Sequence, residues 1–287
     1  MTLLVFGTTG QLGLELQRRV GEDAPFAFLG RDRVDLGDPA ACSEAITRLK
    51  PGAVINAAAW TDVDGAETAE AAADAINADA PGAMARACAA LRIPFVHVST
   101  DYVFDGTGAD PWRPDDPTSP QNAYGRTKLA GEDAIRAAGG PHAILRTSWV
   151  ISPHGKNFAK TMLRLGAERD RISVVADQVG APTPAWDLAG ACLTAAECLI
   201  ENRSLSGTYH YQGQPWGSWA DVAREVFRQA SLECIVEDID TSAFPTPASR
   251  PLNSRLDCTL TEAAFGLRLP DWRVGLSHII AAWRATL

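Results

Sequence analysis

What this 287-residue chain lacks narrows its chemistry before any motif is considered. Its six cysteines (Cys42, Cys88, Cys192, Cys198, Cys234, Cys258) include no Cys-x-x-Cys pair, and its five histidines (His97, His142, His154, His210, His278) show no ligand spacing. Neither a zinc site nor a disulfide framework is expected, and the thiols read as buried and reduced. No apolar run reaches the length of a membrane span, and no basic flank with a long apolar stretch opens the sequence; the expectation is a cytoplasmic protein that does not contact a membrane. Lys plus Arg number 26 against 35 Asp plus Glu, a net charge of -9, with no basic run to override it, so nothing attracts nucleic acid. Internal repeats are also missing. What is present, 46% apolar and 21% charged residues, is ordinary for a folded protein of one large domain or two moderate ones.

The chain opens with an apolar strand, Thr2 to Phe6, that runs into Gly7-Thr-Thr-Gly10-Gln11-Leu12-Gly13 and then a helical stretch to Val20. A strand, a glycine-rich turn and a helix amino terminus suit an anionic phosphate: glycine allows close backbone approach and the helix offers unpaired N–H groups. A second strand, Phe26 to Leu29, ends in Gly30-Arg31-Asp32-Arg33-Val34-Asp35-Leu36. An acid there holds ribose hydroxyls and arginines accept a 2'-phosphate. Arg31 and Arg33 on either side of Asp32 favour NADPH over NADH. Asp38-Pro39 starts a helix to about Lys50. Ala53 to Asn56 forms a third strand, and Ala57, Ala58 and Ala59 beyond it are small enough for a cofactor to lie against the backbone.

After an alanine-rich helical region to Leu91, a fourth strand from Ile93 to Val98 leads into Ser99-Thr100-Asp101-Tyr102-Val103-Phe104. Hydroxyls at a strand carboxyl end face the crevice where open α/β sheets bind ligands. Tyr124 and Lys128 follow at i, i+4 on a helix, which sets an ammonium near a phenol and favours its ionised form. Such a phenol can serve as a general acid. His142 to Arg146 gives a fifth strand. The later elements are helices at Phe158 to Ala167, Pro184 to Ile200 and Ser218 to Ala230, strands at Arg171 to Val175 and Thr208 to Tyr211, a proline-stiffened loop over residues 244–251, and two short helices.

Taken together, Gly7-x-x-Gly10-x-x-Gly13, Ser99-Thr100 and Tyr124-x-x-x-Lys128 resemble the extended short-chain dehydrogenase/reductase superfamily. The segments Asn56-Ala-Ala-Ala59, Ser99 to Gly106, Tyr124 to Glu132, Arg146 to Val150, Asn157 to Met162, Asp177 to Thr183 and Pro247 to Arg255 are similar, more particularly, to the dTDP-4-dehydrorhamnose reductase family. The resemblance implies a doubly wound Rossmann-type parallel sheet over residues 1–147 and a smaller mixed α/β substrate domain over 148–287, with part of 176–212 returning to the first. It implies NAD(P)H-dependent reduction of the C4 ketone of dTDP-4-dehydro-β-L-rhamnose. Thr100, Tyr124 and Lys128 would be catalytic. Gly7, Gly10, Gln11, Leu12, Arg31, Asp35, Leu36 and Ala57 to Ala59 would hold the cofactor together with Tyr124 and Lys128. Val63, Thr100, Tyr102, Phe104, Trp149, Arg250 and Asn253 would face the dTDP-sugar, although Trp149 could equally be core. A homodimer is implied, and in this family a magnesium ion held by carboxylates can bridge it. Glu15 is suitably placed for such an ion, but Trp186 stands where a second acid is expected.

Sugar-nucleotide 4,6-dehydratases carry Thr-Asp-Glu after the fourth strand. Here the triplet is Thr100-Asp101-Tyr102, which argues against dehydration. Another NAD(P)-dependent nucleotide-sugar reductase or epimerase is the nearest alternative, and a non-catalytic dinucleotide-binding regulatory subunit is a more distant one.

Overall fold

The computed structural model describes residues 2–21 and 24–285. Strands β1 (Leu3–Phe6), β2 (Phe26–Leu29), β3 (Ala53–Asn56), β4 (Phe95–Thr100) and β5 (His142–Thr147) alternate with helices α1 (Gln11–Val20), α2 (Pro39–Leu49), α3 (Val63–Ala66), α4 (Glu70–Asp74), α5 (Ala80–Leu91) and α6 (Ala123–Ala137). Beyond them come β6 (Val150–Ile151), α7 (Phe158–Glu168), β7 (Arg171–Val175), β8 (Val179–Gly180), β9 (Thr183–Pro184), α8 (Ala185–Glu201), β10 (Gly207–His210), β11 (Gly217–Ser218), α9 (Trp219–Ala230), β12 (Ile235–Ile239), α10 (Thr259–Phe265) and α11 (Trp272–Arg284).

Six strands form one sheet in the order β10-β5-β4-β3-β1-β2, and every pairing in it is parallel. This is the Rossmann-type doubly wound arrangement, and its physical cause is visible in β1. All four residues are buried, and successive side chains go to opposite faces. Leu3 and Val5 join one core with α1 and α8, through Leu12, Leu16, Leu188 and Cys192. Leu4 and Phe6 join the other with α2 and α5, through Ile46 and Met84. Strands covered on both faces must be apolar without interruption, which is why they read as short hydrophobic runs rather than alternating ones. Helix α8 and β10 both come from beyond residue 180, so the chain crosses back to the sheet after leaving it.

A separate core gathers Leu163 of α7, Val226 and Phe227 of α9 and Leu276 and Ile280 of α11 around β7 and β12. Strand β12 was not anticipated. Its residues Ile235-Val-Glu-Asp-Ile239 lie at an edge and are mostly half-exposed, so the hydrophobic pattern is weak. The last helix is 13 residues rather than short.

Candidate active site

The strand order reverses between β1 and β3, and open α/β sheets bind ligands in the crevice beyond the carboxyl ends of the strands at such a point. The turn after β1 lies at that point. Gly7 adopts φ +99°, a left-handed conformation that favours glycine, and a Cβ on Gly13 would overlap the carbonyl oxygen of Gly7. Both ends of the turn therefore require glycine, and α1 begins directly at Gln11, with Gly10 as its N-cap. The Gly7 N–H donates to Leu29 O at 2.9 Å and the Ala57 N–H to Phe6 O at 2.9 Å, so the ends of β1, β2 and β3 are stitched together. Gln11 is not free to reach a phosphate with its side chain. Its Oε1 accepts from Ser152 Oγ (2.8 Å) and Asn157 Nδ2 (2.9 Å), and its Nε2 donates to Val150 O (3.3 Å). This ties the dinucleotide turn to the segment that follows β6. Leu12 is buried beneath the turn. Arg31 is exposed just beyond β2, Asp35 accepts from the Gly37 N–H in its own turn, and Leu36 packs against the α2 core.

Thr100 is the last residue of β4, and Tyr124 is in the first turn of α6, whose N-cap Asn122 accepts from the Gly125 N–H. Half-buried Tyr102 meets Tyr124 edge-on, with ring centroids 5.5 Å apart. Thr100 Oγ1 accepts from the Tyr102 N–H at 3.2 Å and donates to Asp101 Oδ1 at 3.1 Å. The other oxygen of Asp101 accepts from Ser254 Oγ at 2.5 Å. Burial pushes the Asp101 carboxyl up to about 6 against these hydrogen bonds. Burial also raises the Tyr124 phenol to about 12, opposed by a hydrogen bond with Thr100 and reinforced by the Asp101 charge. The phenol is thus held as the acid.

Lys128 differs from the expectation that its ammonium tunes Tyr124. It is fully buried, with Nζ 2.7 Å from Val98 O and 3.0 Å from His97 Nε2. Burial lowers it to about 8 and only Glu132 acts the other way. The i, i+4 spacing does place both residues on one face of α6, but β4 supplies nearer partners for the amine than the phenol.

The residues expected to face a sugar divide into two groups. Val63 begins α3, half-buried, and Arg250 pairs with Asp64 through Nη2 at 2.8 Å, so the loop through Arg250 is tied to α3. Trp149 is half-buried at φ +48° and stacks on Trp219 at 3.6 Å, which joins it to the second core. Phe104 is a core residue, stacked on Trp112 at 4.6 Å with His210 against its edge, and supports the site from behind. Asn253 needs correction. It is buried, its Nδ2 donates to the carbonyls of Thr107 and Asp110, and its Oδ1 accepts from Arg255, so no polar atom is left for a ligand.

The magnesium expectation is also corrected. Arg18 Nε lies 2.7 Å from Glu15 Oε2 and His154 Nε2 lies 3.5 Å from Oε1, so the carboxylate already faces cationic or potentially cationic groups. Both Arg18 and Arg19 lie over the Trp186 ring, at 4.4 and 4.3 Å. Asp187 is near enough for Glu15 to raise its carboxyl, although burial is the larger cause and Arg19 opposes it. Among the described residues no group of three or more His, Cys, Asp or Glu is arranged to hold a metal ion. A hard cation requires several oxygen ligands, and these residues do not fit one.

Sequence reasoning missed five residues that build the site: Asp64, Asn77, His97, Asp101 and Ser254. Asn77 sits in a π-helical turn between α4 and α5, bonds both backbone groups of Trp60, and reaches Thr127 at 3.1 Å, locking the loop after β3 onto α6. Its sequence signal was a lone amide among alanines. For His97 it was an imidazole inside an otherwise apolar strand.

The family model described as "RmlD substrate binding domain" matches residues 1–285. A curated dTDP-4-dehydrorhamnose reductase of Sinorhizobium fredii is 41% identical over 288 residues, covering 98% of this chain and 97% of that protein. Among solved structures, a dTDP-4-dehydrorhamnose reductase of Clostridium acetobutylicum superposes with a TM-score of 0.92 at 36% identity, covering 99% of this chain and 100% of the other. One from Bacillus anthracis, in complex with NADP, gives 0.90 at 33% identity and 98% coverage of both chains. Among the described residues no helix is long and apolar enough to cross a membrane.

Proposed function

The chain belongs to the dTDP-4-dehydrorhamnose reductase family, and from that premise we propose that Thr100, Tyr124 and Lys128 carry the NADPH-dependent reduction of dTDP-4-dehydro-β-L-rhamnose to dTDP-β-L-rhamnose. The observation that carries this reading is the meeting of Thr100 and the protonated Tyr124 at the carboxyl end of β4, on the same edge of the parallel sheet as the glycine turn after β1. The second core and the loop through Arg250 form the sugar lobe. Residues 1–147, with the returning α8 and β10, form the dinucleotide lobe.

The backbone from Gly7 to Leu12 and the Ala57 to Ala59 turn would hold the dinucleotide, with exposed Arg31 available to a 2'-phosphate. When bound, the reduced nicotinamide supplies the hydride. Negative charge then develops on the C4 oxygen, which needs a donor already in place. Tyr124 gives its phenolic proton to that oxygen. Thr100 has one hydroxyl proton, pointed at Asp101, and turning it toward the sugar oxygen supplies a second hydrogen bond. Lys128, lifted from Val98 O, would reach the nicotinamide ribose.

Purified protein supplied with dTDP-4-dehydrorhamnose should consume NADPH faster than NADH, followed by absorbance. Tyr124→Phe should lower kcat by about 10²-fold or more, with the protein still folded and still binding cofactor. No oxidation by wild type, or undiminished oxidation by the variant, would contradict the assignment.

A further inference from the structure

Counting hydrogens around Lys128 leads to a constraint that reaches the cofactor crevice. The Ala58 N–H donates to Asn56 Oδ1 at 3.1 Å, which fixes the orientation of that amide and turns its Nδ2 toward His97 Nδ1, 3.2 Å away. An amide nitrogen is only a donor, so Nδ1 must be the ring nitrogen with the lone pair. The neutral imidazole then carries its proton on Nε2, aimed at Lys128 Nζ 3.0 Å away. An amine accepts that proton, whereas an ammonium has donors alone. When Lys128 is charged, the ring must instead offer a lone pair at Nε2 and move its proton to Nδ1. Asn56 must then present an acceptor, and only a reversed amide does so, at the cost of the bond from Ala58. Double protonation of the ring is not an escape, since burial and the neighbouring ammonium hold it well below the ordinary imidazole range.

We propose that His97 is a positioning residue that couples the proton on Lys128 to the orientation of the Asn56 amide, and through it to the Asn56–Ala59 turn of the cofactor crevice. The link to turnover rests on the reductase reading above; the tautomer coupling itself does not. The titratable and charged groups that face this pair are few. Tyr124 and Glu132 come from the same helix, Glu132 being held by Arg146 of β5 and by Arg136, and Asp101 lies beyond Tyr124 at the end of β4. Glu132 favours the ammonium and desolvation favours the amine.

Imidazole ¹⁵N spectra of the whole protein test the coupling directly. In wild type His97 should show the Nε2–H tautomer at high pH and change to Nδ1–H as pH falls through about 8, where Lys128 takes up its proton. In Lys128→Met it should keep a single tautomer throughout. One tautomer in wild type across the range, or a change that survives in Lys128→Met, would overturn the proposal. Kinetics give the second arm. Glutamine at position 97 puts an amide where Nε2 lay, whereas asparagine reaches Asn56 and leaves Lys128 with Val98 O as its one hydrogen-bond partner. His97→Asn should therefore lower kcat about tenfold, the order of one lost hydrogen bond, move the alkaline limb of the kcat profile upward and leave the sugar KM nearly unchanged. His97→Gln should recover most of the rate, and equal losses in the two variants would contradict a positioning role. A protein that shows the tautomer change but no reduction of dTDP-4-dehydrorhamnose would sink the reductase reading and leave the coupling intact.

Discussion

Asp101 joins two parts of the candidate site. Its two oxygens take the hydroxyl protons of Thr100 and Ser254, so one carboxylate connects β4 to the loop that follows Arg250. Burial still leaves its carboxyl at about 6 when folded, above its ordinary value of 3.8. The direction of the pH effect follows from that order. A carboxyl that binds its proton more tightly in the folded state contributes stability that is fully present below about pH 4 and is lost as pH rises through about 6. Asp101→Asn cannot ionise and escapes that loss. Denaturant unfolding of wild type and variant, measured between pH 4.5 and 7.5 (roughly the window around the folded value), should therefore show wild type losing on the order of 2 kcal/mol relative to the variant as pH rises. A difference that stays constant with pH would mean Asp101 is already ionised throughout.

Helix α6 shows which parts of an element can be read locally and which cannot. The Tyr124–Lys128 spacing and the β1 glycine turn were legible because each depends on residues a few positions apart. The partners that α6 finds across the fold were not. Lys128 is held by His97, 31 residues before it, and Glu132 by Arg146 on β5, where the guanidinium makes two hydrogen bonds of 2.9 and 2.7 Å. Asn253 illustrates the same limit in the other direction. The family resemblance carried Asn253 over as a ligand contact, and only the folded chain shows that Thr107 and Asp110 consume it. The Glu132–Arg146 pair is nearly inaccessible, 0% and 3% exposed. Burial pushes the carboxyl up, but the arginine's hydrogen bonds and charge outweigh it and hold Glu132 below the usual range. Removing Arg146 leaves the buried carboxylate with only the half-exposed Arg136, 3.2 Å away, so Arg146→Met should cost about 3 kcal/mol in chemical unfolding, the lower end for a broken buried pair. Glu132→Gln/Arg146→Met together should cost less than the single arginine change, since no ionised carboxylate then remains. A double variant worse than the sum of its parts would show that the pair does more than balance charge.

At the scale of the whole molecule, two cores flank the sheet and a third organises the lobe beyond it. The crevice depends on a few polar ties across their seam. Arg250 reaches Asp64, Ser254 reaches Asp101, and Asn122 Nδ2 donates to Ser249 O at 2.8 Å. On another face, α1 and the start of α8 are joined by Trp186 beneath Arg18 and Arg19 and by Arg19 Nε donating to Trp186 O at 3.1 Å. A guanidinium over an indole contributes about 0.5–2 kcal/mol and needs no metal. The Arg18 guanidinium already beside Glu15 opposes the approach of a divalent ion. Assembly and catalysis should therefore be indifferent to chelation. Sedimentation velocity and the NADPH-consumption rate, measured before and after exhaustive dialysis against EDTA, should agree within error, and added magnesium should change neither. A fall in sedimentation coefficient with EDTA that magnesium reverses would show that Glu15 exchanges Arg18 for an ion when two copies meet. Trp186→Ala supplies the converse test: it removes the aromatic platform but no carboxylate, so it should loosen the α1–α8 contact and lower the unfolding midpoint, again with no dependence on the chelator.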